Sequence, residues 1–148
     1  PYIVIDPMNC QVNNVNAEEI VQGMDVVVDG LDNMEARYAV NRACVKFGVS
    51  YVFGAVATTT GNVSTIVPGK SVCLECFYGN KSGKSEIVGV HPSAVNIIAS
   101  IEVSEAIKLL TSQEPNLINK LLNFDLNGLE MNLVSLSKIE SCPVCGAL

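Results

Sequence analysis

Four of the six cysteines fall into two pairs of the same spacing, Cys73-Leu74-Glu75-Cys76 and Cys142-Pro143-Val144-Cys145. A two-residue gap lets both sulfurs of a pair reach one ion, and two such knuckles far apart in a chain point to a tetrahedral four-thiolate zinc site. With four protein ligands no coordination position stays open, so the ion would be structural and would hold a loop and the chain end together. A redox pair is the alternative. Such a pair usually opens a helix, which lowers one thiol pKa, and neither cysteine pair here precedes a helical pattern.

The second stretch with chemistry in it is residues 25–48, DVVVDGLDNMEARYAVNRACVKFG. Asp29, Asp32 and Asn33 stand where a buried strand would run into a helix, and open α/β sheets bind ligands beyond the carboxyl ends of their strands, often at helix N-termini. Asp32 followed by Glu35 also fits a capping box with Asp in place of Ser or Thr. On local grounds Asp32 is either a cap or a site carboxylate. His91, the only histidine, precedes Pro92 and reads as a helix start, because no serine or cysteine nucleophile motif accompanies it. Cys44 lies on an apolar helix face and reads as an inert core residue; Cys10 lies in a loop.

The elements that must position these residues follow from periodicity. Residues 24–28 form a continuous β-branched run, the pattern of a strand covered on both faces. From Asn33, the residues Ala36, Val40, Ala43, Cys44 and Phe47 recur three or four apart, one face of an amphipathic helix that Gly48 can end. Before this unit, residues 2–5 read as a strand closed by Asp6-Pro7, residues 13–16 as a polar loop and residues 17–23 as a short acidic helix, together a crossover unit. After it come a strand over residues 51–57, a turn over 58–62 and a strand over 63–67 stopped by Pro68-Gly69. Residues 70–90 have loop composition. Pro92 suits a first helical turn, and apolar residues to Leu110 cover more than one stripe, which predicts a helix buried on more than one side. Strands over residues 121–126 and 129–136 flank Asn127-Gly128, a strong hairpin signal.

With 148 residues the chain is sized for one domain. It is 49% apolar and only 16% charged, which leaves surface to be buried against another chain and predicts self-association. A net charge of -6 without a basic run argues against a nucleic-acid or anionic-membrane partner. The N-terminus lacks the basic and apolar regions of a signal peptide, and cytoplasm is the expected compartment. Pro1 in place of Met suggests a piece of a longer chain.

DVVVDGLDN, Arg37, Asn41, Gly54, Gly61, Pro68, CLEC, SEAIKLL and the terminal CPVCG, in that order, resemble one family: the ubiquitin-activating-enzyme-like adenylyltransferases of molybdopterin and thiamine biosynthesis. The likeness runs from Asp6 to Gly146. It implies a Rossmann-like α/β fold, here a partial domain of parallel strands with crossover helices followed by an antiparallel hairpin and a structural zinc site. It also implies a homodimer and ATP with magnesium, used to adenylate the C-terminal glycine of a small ubiquitin-like sulfur-carrier protein. By the same resemblance Asp32 matches the family's magnesium- and phosphate-holding Asp, Asn33 sits beside it in the nucleotide site, and Cys73, Cys76, Cys142 and Cys145 match its zinc ligands.

Two departures qualify what is implied. The family's Gly-rich nucleotide loop, ribose-binding acidic residue and phosphate-binding Arg and Lys precede the matched region, and this sequence has no GxGxxG. Residues 1–148 are therefore expected to be the C-terminal part of such a domain, unable to adenylate a carrier alone. A non-catalytic zinc-binding subunit of a heterodimeric activating enzyme is the alternative, and a zinc-stabilised dinucleotide oxidoreductase would need a Gly-rich loop and hydride site that are not visible. Some members also carry a thioester-forming cysteine between the first zinc pair and the long helix. The nearest residue here is Ser85, so the enzyme is expected to stop at the acyl-adenylate.

Overall fold

The structure is a computed structural model that describes residues 2–79 and 88–146. Five strands, β1 (Val26–Val28), β2 (Ser50–Ala57), β3 (Thr60–Ile66), β4 (Lys120–Asp125) and β5 (Glu130–Ser135), pair in sequence order in one mixed sheet. Only β1 and β2 are parallel. Their connection runs through α2 (Met34–Phe47), whose length is what a parallel crossover requires. From β2 onward each pairing is antiparallel.

Alternation along β2 sends its side chains to two separate cores. Tyr51 and Phe53 face α1 (Ala17–Val21) and α2, in a cluster with Ala39, Ala43, Cys44 and Ile66. Val52 faces α4 (Pro92–Leu110), in a second cluster with Val63, Ala94, Ile98 and Phe124. The α/β class expected from the sequence is the one observed. Burying Phe53 completely stabilises by about 1.5–3 kcal/mol, and its ring lies edge-on to Tyr51, Phe77 and Tyr78. α2 ends as expected at Gly48, whose φ of 71° only glycine adopts without cost.

Several expectations need correction. Residues 2–5 form no strand; Tyr2, Ile3, Val4 and Ile5 are exposed and no described strand pairs with them, and an extended run becomes a strand only against a partner edge. The turn between β2 and β3 is only Thr58-Thr59, so Gly61 lies inside β3, where a Cβ would sit 2.6 Å from the Phe124 ring and 2.8 Å from Ile98. Close packing, and not a turn, requires glycine there. The β4–β5 hairpin exists, but its loop runs over residues 126–129 and its left-handed residue is Leu129 rather than Gly128. Residues 70–90 are not all loop, since α3 (Leu74–Tyr78) opens at Cys73. α4 packs on the sheet through Ala94, Ile98, Glu102, Glu105 and Ala106, while Val95, Val103, Ile107 and Leu110 are exposed. Among the described residues it is therefore buried on one side. Ser85 lies outside the described residues.

Glu105 fixes α4 in position. Its buried carboxylate accepts hydrogen bonds from Thr65 Oγ1 at 2.8 Å, Lys108 Nζ at 2.6 Å, and the backbone N–H groups of Asn116 at 3.1 Å and Leu117 at 2.9 Å. Burial alone would raise its pKa, but these donors outweigh burial and hold the carboxyl below its ordinary range.

Candidate functional site

After β1 the chain leaves the sheet in a short connection held by Asp29. Its enclosed carboxylate accepts from the N–H of Leu31 at 2.8 Å, from Arg37 Nε at 2.9 Å and from the Tyr51 hydroxyl at 2.6 Å. The Arg37 guanidinium then reaches the Leu31 carbonyl and, at 3.0 Å, the Gly54 carbonyl on β2. One cation thus ties β1, the connection, α2 and β2 together. Burial, followed by the charge of Asp29, pushes the Tyr51 hydroxyl well above its ordinary pKa, so it stays a donor.

This frame leaves Asp32 at the surface beyond the carboxyl end of β1. The structure separates its two candidate roles: Asn33, in extended conformation, caps α2 by accepting from the N–H of Ala36 at 2.9 Å, and Asp32 caps nothing. Two cap-forming residues stand side by side, and the second is the cap. One Asp32 oxygen accepts from Asn33 Nδ2 at 2.9 Å. Among the described residues the carboxylate accepts no other hydrogen bond. His91 starts α4 as expected, with Nδ1 accepting from the N–H of Ser93 at 3.3 Å.

Against the middle of α2, where Asn41 and Arg42 bond the first knuckle, the four paired cysteines converge. All four sulfurs lie within 4.8 Å of one another, with Cys73 to Cys142 at 3.6 Å, Cys76 to Cys145 at 3.4 Å and Cys73 to Cys76 at 4.0 Å. A disulfide would bring two sulfurs to about 2.05 Å. Sulfurs at ~2.3 Å from a tetrahedral ion sit about 3.8 Å apart, so the observed spread fits a four-thiolate metal site. These residues can hold a metal, and among the described residues no other group of three or more His, Cys, Asp or Glu side chains is arranged to do so. The expectation that neither pair precedes a helix needs correction: Cys73 stands at the N-cap position of α3, although it makes no side-chain capping hydrogen bond and the helix has only five residues. Burial first, then the Cys145 and Cys142 thiols, hold the Cys73 thiol far above its ordinary pKa. For Cys142 burial acts upward too, but the N–H groups of Cys145 and Val144 win and bring it down to about 7. Cys44 is enclosed and pushed up by burial to about 12, as an inert core thiol should be; Cys10 is exposed.

Two features escaped the sequence patterns. Glu75, inside the first CxxC, is buried and bonded to α2 through Arg42 Nε at 2.9 Å and Asn41 Nδ2. Burial raises its pKa, with Arg42 opposing. Glu102, on α4, lies against β2 where Gly54 leaves room; a Cβ at Gly54 would be 2.4 Å from its Oε1. That oxygen is buried without a hydrogen-bond partner among the described residues. Burial, then the charge of Asp29, raises Glu102 to about 8 against the pull of Arg37. A charge pair leaves a sequence signal only when the partners are close, and Glu75 lies 33 residues from Arg42.

Known proteins resemble the chain along nearly its whole length. A SAMP-activating enzyme E1 of Haloferax volcanii is 31% identical over 99% of this chain and 56% of its own length. A sulfur carrier protein ThiS adenylyltransferase of Bacillus subtilis is 34% identical over 88% of this chain and 40% of its own. The chain thus spans about half the length of the curated relatives it matches. Among solved structures, E. coli MccB with MccA-N7isoASN superposes with a TM-score of 0.79 at 19% identity, over 94% of this chain and 45% of that one, so the fold is shared. The ThiF family matches residues 1–144, and the chain belongs to the ThiF family of ubiquitin-activating-enzyme-like proteins.

Proposed function

We propose that this chain is the C-terminal part of an ATP-dependent adenylyltransferase that activates the C-terminal glycine of a small ubiquitin-like sulfur carrier. In this reaction a carrier carboxylate oxygen attacks the α-phosphorus of ATP, the bond to the leaving oxygen breaks, and pyrophosphate departs. The observation that carries the reading is Asp32: a carboxylate released from capping, at the carboxyl end of β1, on a connection clamped by Asp29 and Arg37. A single carboxylate suits magnesium, which is commonly held by one or two carboxylates together with substrate phosphates. Magnesium, when bound, neutralises the pyrophosphate leaving group. Asp32 would hold it, and Asn33 would face the nucleotide while capping α2. Cys73, Cys76, Cys142 and Cys145 would hold a structural zinc ion.

The names of the Haloferax and Bacillus relatives support the carrier as substrate. The outer edge of β1 pairs with no described strand, and Val103, Ile107 and Leu110 stand exposed on α4. These surfaces suit a preceding Gly-rich half of the domain, or the ATP-binding chain of a heterodimer if this chain is the non-catalytic subunit. The assembled enzyme would be a cytoplasmic homodimer. No helix of the described residues is long and apolar enough to cross a membrane. Mass spectrometry of a Gly-Gly-ending carrier, incubated with ATP and magnesium, tests the reading. The acyl-adenylate should form with the longer polypeptide and not with residues 1–148 alone; adduct formed by residues 1–148 alone would refute the division of labour.

A further inference from the structure

Between the four-cysteine cluster and α2 lies a polar bridge. Glu75 is enclosed within the Cys73–Cys76 knuckle, its side chain 3% exposed. One carboxylate oxygen accepts from Arg42 Nε at 2.9 Å; the other accepts from Asn41 Nδ2 and lies 3.7 Å from the Cys73 sulfur. Asn41 in turn accepts the N–H of Leu74 at 3.2 Å, closing a ring between the knuckle and the middle of α2. Arg42 stacks over Tyr38 at 5.9 Å and reaches Asn14 at 3.5 Å. Four thiolates around a divalent ion carry a net charge of -2, and an added bare carboxylate would repel them. The Arg42 guanidinium offsets that charge, so Glu75 can serve as a tether at a site where an unpaired acid would be costly.

We propose that Glu75 is a positioning residue for the metal site. Through Asn41 and Arg42 it makes metal binding by the four cysteines and the ordering of α2, with Asn33 and Asp32 at its start, one coupled equilibrium. The proposal rests on reading the cysteines as a metal site. It goes beyond that reading in giving the metal an influence on the helix that presents Asp32. Outer contacts of this kind typically change metal affinity 10- to 100-fold.

The test uses Co2+ as probe, with Zn2+ measured by competition against a chromophoric chelator. The wild-type chain should bind one Co2+ with thiolate charge-transfer and tetrahedral d–d bands. Glu75→Gln should keep both bands and bind about 10- to 100-fold more weakly. Added Zn2+ should slow amide exchange in the first turns of α2 in the wild type and much less in Glu75→Gln. A purely structural role would lower the melting temperatures of metal-free and metal-loaded forms together and leave affinity unchanged, and that result would overturn the proposal. If Glu75→Gln does not fold, Arg42→Met, at a half-exposed position, reads the same link: weakened affinity supports it and equal affinity refutes it. A wild-type chain that binds neither ion would overturn the metal reading and the proposal together, whereas normal wild-type binding with an unaffected variant would overturn the proposal alone.

Discussion

Asp29 and Arg37 form an enclosed ion pair at 2.9 Å, and the same guanidinium bonds the carbonyls of Leu31 and Gly54. The pair fixes the path of the chain between β1 and α2. Truncating one partner leaves the other charge buried and uncompensated, so Arg37→Ala should destabilise by about 3–5 kcal/mol, read from the urea midpoint. Arg37→Lys should recover only part of this, because an ammonium cannot reach three acceptors in the planar fork that guanidinium supplies.

Gly54 and Glu102 are matched in shape. Gly54→Ala would drive a methyl group into the Glu102 carboxyl and Ile98 and should cost about 1–3 kcal/mol. Combining it with Glu102→Ala should give a smaller loss than the sum of the single variants, measured by a double-mutant cycle.

Glu102 also predicts a pH dependence. Its folded pKa, about 8, lies above its ordinary 4.5, so the folded state binds this proton more tightly than the unfolded chain. The stabilisation is complete below about 4.5 and is lost as pH rises through about 8. Glu102→Gln should flatten the decline of stability between about pH 5 and 8, seen in melts across that range. A parallel decline in the variant would assign the dependence elsewhere. Glu105 acts in the opposite sense: its lowered pKa gives stability present above the ordinary carboxyl range and lost as pH falls through the folded value.

Chelation should separate the cysteines into three classes. Titration of the native protein should gain four reactive thiols, from Cys73, Cys76, Cys142 and Cys145, and the melting temperature should fall. Cys10 should react throughout and Cys44 in neither state, being enclosed and raised to about 12. An unchanged count would mean that the cluster holds no metal.

The sequence was most legible where the signal is local. The valine run of β1, the three-and-four spacing of α2, Pro92 at the start of α4 and the repeated CxxC each depend on near neighbours. The α/β class and the four-cysteine cluster follow from them. Legibility failed where a role is set at a distance. Residues 2–5 have a strand pattern but no partner edge among the described residues, and Gly61 answers to a ring on β4. Glu75 finds Asn41 and Arg42 more than thirty residues away. Between Asp32 and Asn33 local propensity could not choose, since both types cap helices; the observed hydrogen bond to the N–H of Ala36 chooses Asn33.

That choice gives the most direct test of the account. ATP–pyrophosphate exchange, driven by a carrier ending in Gly-Gly and catalysed by the complete enzyme containing this chain, should fall at least about a hundredfold in Asp32→Ala, with the melting temperature unchanged because Asp32 caps nothing. Exchange at the wild-type rate in Asp32→Ala would contradict the assignment of this carboxylate to the nucleotide site.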